Sequence, residues 1–231
     1  MKKGLAFSGG KDSWACLWLH EKELDDIGVI WVNTGKNYPE ALAMIQKAKA
    51  MCPNFVEVQS DQQAQNDKFG LPSDVLPVNW TYSGQLVRGK KDVKIQSYLS
   101  CCWDNIGIPL QEVAKEAEIT HLIRGQRNDE KYKATSRNGD VVNGITYIHP
   151  IENWTRQQVL DYLATKMDVP EHFVLEHSSM DCYDCTGYWE ASKDRIEYTK
   201  ERHPALYDEY KVRMDIVKDT LSESMKGLQN G

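Results

Sequence analysis

Residues 4–19 read GLAFSGGKDSWACLWL: a short apolar run, two adjacent glycines and an amphipathic stretch in direct succession. Gly4 to Phe7 suits a short buried strand, and Lys11 to Leu24 suits a helix with Trp14, Leu17 and Trp18 on one face. The six residues SGGKDS, 8–13, are then a strand-to-helix loop. Backbone N–H groups and a helix N-terminus converge in such a loop and favour an anion. Gly9 and Gly10 let the backbone approach a phosphate with no Cβ in the way. Ser8 and Ser13 add hydroxyl donors and Lys11 adds positive charge. Asp12 is a partner for Lys11, a partner for a metal, or simply a favourable charge in a first helical turn. The spacing is not the GxxxxGK[ST] of the Walker loop, and the third glycine of the dinucleotide fingerprint is missing.

The segments on either side extend the pattern. GVIWV, 28–32, is a second apolar strand, and PEALAMIQKAKAMC is a helix with Pro39 well placed in its first turn. FVEVQS, 55–60, is a third strand, so the order implies a parallel sheet with right-handed crossovers. Residues 61–100 are polar and rich in Gly and Pro, and read as a long loop or lid with little regular structure. A helix over 105–118 follows, then the strand THLIRG and a hairpin, TSRNGDVVNGITYIHP, whose Asn138-Gly139 pair signals a turn. Thr155 starts a helix in which Val159, Leu160 and Leu163 face inward, and Trp154 is expected in the core. From Trp189 the chain is helical and charged, fraying at GLQNG. The expected fold is α/β, a parallel twisted sheet with helices on both faces, in a Rossmann-like arrangement. Residues 1–190 form this domain and 191–231 a helical C-terminal extension.

The bulk composition narrows the function classes. A net charge of −6 argues against broad, nonspecific nucleic-acid binding. The basic stretch RGKKDVK, 88–94, could guide a nucleic-acid acceptor, although a solvated loop is the commoner use of such a run. No apolar run approaches the roughly 20 residues that span a bilayer, and the start is too short for a signal peptide. No membrane association is expected, and a cytoplasmic location follows. The six cysteines are then reduced, not paired in disulfides.

SGGKDS matches the PP-loop of ATP pyrophosphatases, a superfamily that includes GMP synthetases, tRNA-thiolating enzymes and the sulfonucleotide reductases. VNTGKNYPE, 32–40, resembles the DTG-x-x-FPET segment of phosphoadenylyl-sulfate (PAPS) and adenylyl-sulfate (APS) reductases. LIRGQRNDE, 122–130, resembles their glycine–arginine segment, and HPIENWTRQQVLDYL, 149–163, their NPL-x-x-W-[TS]-x-x-D-V-W-x-Y-I element. The resemblance covers roughly residues 4–190 and implies an adenine-nucleotide α-hydrolase-like fold with its ligand at the carboxyl edge of the sheet. The resemblance implies that Asn33, Thr34, Gly35 and Gly125 line the nucleotide and that Arg124 and Arg127 clamp phosphate or sulfate oxygens; from the residues alone Asn33 to Gly35 could equally form a helix-entry turn and either arginine could be solvated on a surface loop. Lys131, Lys133 and Arg137 continue the basic run and could equally face solvent.

Cys101 and Cys102 are adjacent, and Cys182 and Cys185 form a CxxC. CCWDNIGIPL and MDCYDCTGY resemble the two halves of the [4Fe–4S] signature of APS-type reductases. Four thiolates satisfy a cubane cluster or tetrahedral zinc, and adjacent cysteines are an awkward chelate for zinc, which favours the cluster. Buried, idle thiols are the plain alternative, and are the expectation for Cys16 and Cys52 on helix faces. The lysine that the family carries after its cysteine pair has no equivalent in WDNIG.

Two departures shift the expected reaction. The reductases end in a tail whose ECGLH cysteine attacks sulfur, whereas LSESMKGLQNG has none, and the four clustered thiols would be occupied. Reductases also carry a degenerate loop such as SFGAED, whereas SGGKDS keeps the lysine and both glycines of enzymes that cleave ATP between the α and β phosphates. The first expectation is therefore AMP-forming sulfur transfer from ATP, with Mg²⁺, Lys11, Asp12, Arg124 and Arg127 serving the chemistry. The second is an APS or PAPS reductase that borrows a thiol from a thioredoxin-like reductant, and the third a non-catalytic nucleotide or Fe–S binding protein. The partners implied are an adenine nucleotide, a sulfur donor or reductant, an acceptor that could be nucleic acid, and a second copy in a homodimer.

Overall fold

Strand β1 (Lys3–Ala6) lies between two parallel neighbours, β2 (Ile27–Asn33) and β6 (His121–Ile123), with Leu5 opposite Val29 on one side and Ile123 on the other. The computed structural model describes residues 2–132, 136–175 and 180–229. Its main sheet runs β3-β2-β1-β6-β8-β7, where β3 is Phe55–Gln59, β7 Val141–Val142 and β8 Ile145–Ile148. Five of these strands are parallel and only β7 is antiparallel. Strands covered on both faces need near-continuous apolar sequence, and β2, reading IGVIWVN, supplies it.

One face is covered by α1 (Lys11–Leu19), α2 (Pro39–Met51) and α7 (Arg156–Ala164), whose Trp14, Leu17, Ile45, Val159 and Leu163 share a core with Leu5 and Val29. Trp154 packs against this core, and Cys16 and Cys52 lie inside it, as their sequence positions imply. On the other face α6 (Ile108–Glu116) sets Leu110 and Ala114 against Ile30, Leu122 and Tyr147. Pro39 opens α2 at its first turn, and Thr155 caps α7 in a capping box with Gln158. The first helix is shorter than expected, ending at Leu19 before a tight turn over Glu21–Glu23.

Residues 61–100 depart from the expected loop. They fold into α3 (Gln62–Phe69), β4 (Leu71–Ser73), α4 (Tyr82–Val87) and β5 (Ile95–Ser97), with β4 and β5 paired in a small parallel sheet. Amides rather than apolar periodicity hold this unit. The buried Gln96 side chain donates to the Gly70 carbonyl at 2.6 Å and to Asn66 Oδ1 at 3.1 Å. From β5 the chain enters α5 (Tyr98–Cys102), a π-helical turn at Trp103–Gly107, and then α6, without a break. The helix therefore starts before 105, and its widened turn directly follows the cysteine pair, a distortion frequent at functional sites.

The tight hairpin turn between β7 and β8 is Asn143-Gly144, not Asn138-Gly139. Asn143 (φ 52°) and Gly144 (φ 79°) are both left-handed, as a two-residue type I′ turn requires. Asn138-Gly139 makes a separate turn, closed from Asp140 N–H to the Arg137 carbonyl at 3.1 Å. After α8 (Glu171–Leu175), the helices α9 (Lys193–Arg202) and α10 (Pro204–Gln229) complete the described chain. Lys133 and residues 230–231 of the GLQNG end lie outside the described residues. Among the described residues no helix is long and apolar enough to cross a membrane.

Candidate functional site: a phosphate loop beside a thiol loop

The strand order reverses at β1, with β2 and β3 on one side and β6 and β8 on the other, so the crevice beyond the carboxyl ends of β1 and β6 is the switch point where such sheets place ligands. SGGKDS leaves β1 at this crevice. Gly9 sits at φ +80°, and Gly10 is the N-cap of α1 without any side-chain cap. The first N–H groups of α1 therefore point outward unpaired. Ser13 Oγ donates to the Gly10 carbonyl at 2.8 Å and stands 3.4 Å from Ser8 Oγ, which shapes the loop.

The strand β6 loop closes on the same turn. A Cβ added to Gly125 would stand 2.7 Å from the Asp12 carbonyl carbon and 2.8 Å from its oxygen, so only glycine allows the approach. Asp12 is held from two sides, by Lys11 Nζ at 3.0 Å and by Arg127 Nε at 2.7 Å. Arg127 is buried and also contacts Asp129 at 2.5 Å and Glu130 at 3.7 Å. Three carboxylates thus occupy Arg127, which makes it a brace between loops and not a free anion clamp. Arg124 is different: burial pushes its guanidinium below the ordinary value, and among the described residues it forms no ion pair. Beside it His149 is buried; among the described residues neither ring nitrogen has a hydrogen-bond partner, Nδ1 stands 3.9 Å from Glu152, and burial followed by the Arg124 charge keeps its pKa low.

The NTG turn lies at the next strand end. Asn33 Oδ1 accepts from Gly35 N–H at 2.9 Å while its amide donates to Glu57 at 2.9 Å, and Gly35 takes φ +75°. Thr34, Gly35 and Lys36 line a cavity of about 290 Å³ together with residues 59–63. Thr34 Oγ1 donates to the Asp181 carbonyl at 3.2 Å and accepts from Cys182 Sγ at 3.6 Å. The NTG turn and the CxxC loop are therefore in direct contact.

Residues within and beyond the MDCYDCTGY motif fix that loop. Arg195, 5% exposed, donates to the carbonyls of Cys182 at 2.6 Å and Cys185 at 3.1 Å. Asp184, inside the CxxC and 1% exposed, faces Arg213 at 3.2 Å, Lys36 at 3.8 Å and the Gln62 amide at 3.4 Å. Thr186 donates to the Pro72 carbonyl at 2.6 Å, and Asp74 accepts from the N–H groups of Tyr188 at 2.6 Å and Trp189 at 3.0 Å. Tyr188, left-handed at φ 60°, packs at a tilt against Tyr98 and edge-to-face against Tyr132, and sets its hydroxyl 3.5 Å from Cys102 Sγ.

All four motif cysteines are free thiols. Burial raises the thiol pKa of Cys101, Cys102 (to about 11) and Cys182, and the charge of Cys185 raises each of them further. The two pairs therefore share one electrostatic neighbourhood around Cys185. Among the described residues, however, no three His, Cys, Asp or Glu side chains gather at metal-ligating spacing.

A family model described as the phosphoadenosine phosphosulfate reductase domain matches residues 3–188. The chain belongs to this family. The PAPS reductase domain thus spans both SGGKDS and the CxxC. A crystal structure of phosphoadenylyl-sulfate (PAPS) reductase from Candida auris, a phosphate complex, is similar in fold, with a TM-score of 0.51 at 17% identity over 78% of this chain and 80% of that one. The predicted subunit of tRNA methyltransferase from Methanocaldococcus jannaschii gives a TM-score of 0.43 at 17% identity, covering 87% and 88%. An uncharacterized protein of M. jannaschii is 24% identical over 220 residues, 92% of this chain and 47% of that protein. The chain spans about half the length of this curated relative.

The signals that sequence reading missed are polar. Asp74, Arg195 and Arg213 fall outside every motif, whereas Lys36 lies within VNTGKNYPE and Asp184 and Thr186 within MDCYDCTGY, where only their positions carried a local hint.

Proposed function

We propose that this PAPS-reductase-family protein binds ATP at SGGKDS and uses it in AMP-forming sulfur transfer, with Cys101, Cys102, Cys182 and Cys185 holding a [4Fe–4S] cluster. The observation that carries the reading is the Thr34 hydroxyl, 3.6 Å from Cys182 Sγ, which joins the nucleotide edge of the sheet to the thiol loop.

In this reaction an acceptor oxygen attacks the α-phosphorus of ATP and pyrophosphate leaves; a sulfur nucleophile then displaces AMP, which departs with the acceptor's oxygen. The uncapped first turn of α1 and the Lys11 ammonium meet the charge of the leaving pyrophosphate. Arg124, a desolvated cation with no ion pair among the described residues, is available to phosphate oxygens. Asp12 is shared by Lys11 and Arg127, so it orients these two cations, and a Mg²⁺ accompanying ATP would supply further positive charge for the leaving pyrophosphate.

By residue type four cysteines are the donors an iron–sulfur group takes, although among the described residues no three of them gather at metal-ligating spacing. Burial, with Cys185 adding to it, raises the thiols of Cys101, Cys102 and Cys182, so thiolates there need positive charge, and a buried guanidinium lies against the CxxC backbone. When bound, such a cluster would supply the site that holds the sulfur to be transferred.

The family match favours a second reading, sulfite-forming reduction of adenylyl sulfate or PAPS by a thiol from a thioredoxin-like partner. Calorimetric titration of the anaerobically purified full chain with Mg·ATP and with adenylyl sulfate separates the two. ATP binding that weakens at least tenfold in Lys11→Ala supports ATP use. Adenylyl sulfate binding with sulfite release on adding thioredoxin replaces it with the reductase, and tight binding without turnover of either leaves a nucleotide-binding protein.

A further inference from the structure

Arg88, Lys90 and Lys91 are exposed cations on a turn that is firmly built. Gln85, buried in α4, donates its side-chain amide to the Asn79 carbonyl at 2.5 Å and accepts from Asp92 N–H at 2.9 Å. Its own carbonyl accepts from Lys90 N–H at 2.9 Å, and Lys94 N–H closes the turn on the Trp80 carbonyl at 2.9 Å. Among the described residues none of the three cations has an ion-pairing partner, although the chain carries a net charge of −6. Like charges fixed side by side repel, so a turn that holds them in place is suited to an anionic surface facing it. Beside them Val78, Leu86 and Val87 stand in solvent, Val87 90% exposed. An apolar patch rimmed by charge marks an interaction surface. Its aliphatic side chains offer no ring for a base to stack on, which favours a protein over a nucleic acid.

The complementary surface lies on the same chain. The inner side of α10 buries Tyr210, Val217 and Thr220. On its opposite side Asp208, Val212, Asp215, Ile216, Asp219 and Glu223 recur at helical spacing, all exposed. This acidic and aliphatic stripe runs about 22 Å along the helix axis. Among the described residues Asp208 and Asp219 have no cation in range, Asp215 meets Lys218 at 3.4 Å, and Glu223 meets Lys94 at 3.7 Å. Lys94 also reaches Asp92 at 3.6 Å, so the turn and the stripe lie side by side. Complementary faces set far apart on a chain propagate open filaments, whereas adjacent ones let two copies exchange both contacts about a two-fold axis.

We propose that two copies of this chain pair through these faces, the basic turn of each laid on the acidic stripe of the other, with Val87 seated against Val212 and Ile216. The pairing is independent of the reaction proposed above. Both faces back onto the CxxC loop: Arg213, from α10, faces Asp184 at 3.2 Å, and Asp74, just after β4, accepts from the Tyr188 and Trp189 N–H groups. A second copy therefore braces that loop from both sides.

The test is sedimentation velocity of the full chain over a concentration series, with circular dichroism to confirm the fold of each variant. Wild type should sediment as a dimer that weakens when salt rises from about 0.05 to 0.5 M. Lys90→Glu with Lys91→Glu, and separately Asp215→Lys with Asp219→Lys, should each weaken the dimer by about tenfold or more. An equimolar mixture of the two reversed chains should restore it, because both exchanged contacts are then attractive again. Val87→Asp should weaken the dimer without rescue by the mixture. A wild type that stays monomeric at about 100 µM overturns the proposal. So does a dimer that every variant keeps, or reversed chains that fail to recover on mixing. A monomer that binds an RNA oligonucleotide, with affinity lost in the Lys90→Glu and Lys91→Glu chain, overturns it by giving the turn to nucleic acid.

Discussion

Arg127 Nε lies 2.7 Å from Asp12 Oδ1, so the loop after β6 is tied by charge to the first turn of α1 across the crevice where the sheet order reverses. Removing one partner strands the other. Breaking a fully buried pair costs about 3–5 kcal/mol; here Asp12 and Glu130 are partly solvated, which brings the expectation for Arg127→Gln to about 2–3 kcal/mol. Asp12→Asn in the same background should recover part of that loss, because the carboxylate no longer lacks its cation. Urea unfolding of the two single variants and the double variant measures the coupling. Strict additivity would show that the contact is incidental.

Two glycines separate folding from ligand binding. A Cβ at Gly10 would meet only Ser8 Oγ, at 3.4 Å, whereas one at Gly125 would press on the Asp12 backbone at 2.7 Å. Gly10→Ala should leave stability within about 0.5 kcal/mol of wild type while weakening ATP binding at least tenfold, about 1.4 kcal/mol. Gly125→Ala should lose about 1–3 kcal/mol of stability as well as affinity. Thermal unfolding and calorimetry on both variants check the contrast, and a Gly10→Ala chain with unaltered affinity would remove the phosphate from this loop.

The legible part of the fold is the part built from periodic apolar sequence. The β1-α1-β2-α2-β3 run announces itself through GVIWV and the Pro39 helix start, because a strand covered on both faces has no room for polar residues. Residues 61–100 gave no such signal: α3 reads QQAQNDKF, and its burial rests on Gln62, Asn66 and Gln96, whose partners are 26 to 122 positions away in the chain. The same holds for the site. Glycines and paired cysteines mark themselves locally, whereas Arg195 and Asp74 act only through distant backbone atoms. Arg127 was visible as a basic residue near the nucleotide edge, but its three carboxylate neighbours were not.

Acid should destabilise the fold through two buried histidines. Burial lowers the pKa of both His149 and His172 from the usual 6.5, the Arg124 charge adding to the effect at His149. The unfolded chain then binds more protons than the folded one between the lowered values and 6.5, so stability is complete above about 6.5 and is lost as pH falls below it. Urea midpoints measured from pH 7.5 down to pH 5 should decline. The decline should be shallower in His149→Gln, which removes one titrating group. An identical slope in wild type and variant would show that His149 is protonated without penalty in the folded chain.

Thr186 offers a test of how the thiol loop is held. It is fully buried, and its hydroxyl donates to the Pro72 carbonyl at 2.6 Å, two residues before Asp74, which grips the Tyr188 and Trp189 amides. Thr186→Val keeps the shape and deletes the donor, leaving a buried carbonyl unsatisfied at about 1–3 kcal/mol. If the β4 segment and the CxxC loop open as one unit, hydrogen exchange of the Tyr188 and Trp189 amides should accelerate in step with that loss, about tenfold for each 1.4 kcal/mol. Exchange that accelerates no more than at Leu122, in the middle of the main sheet, would mean that Thr186 stabilises the whole fold and not this loop.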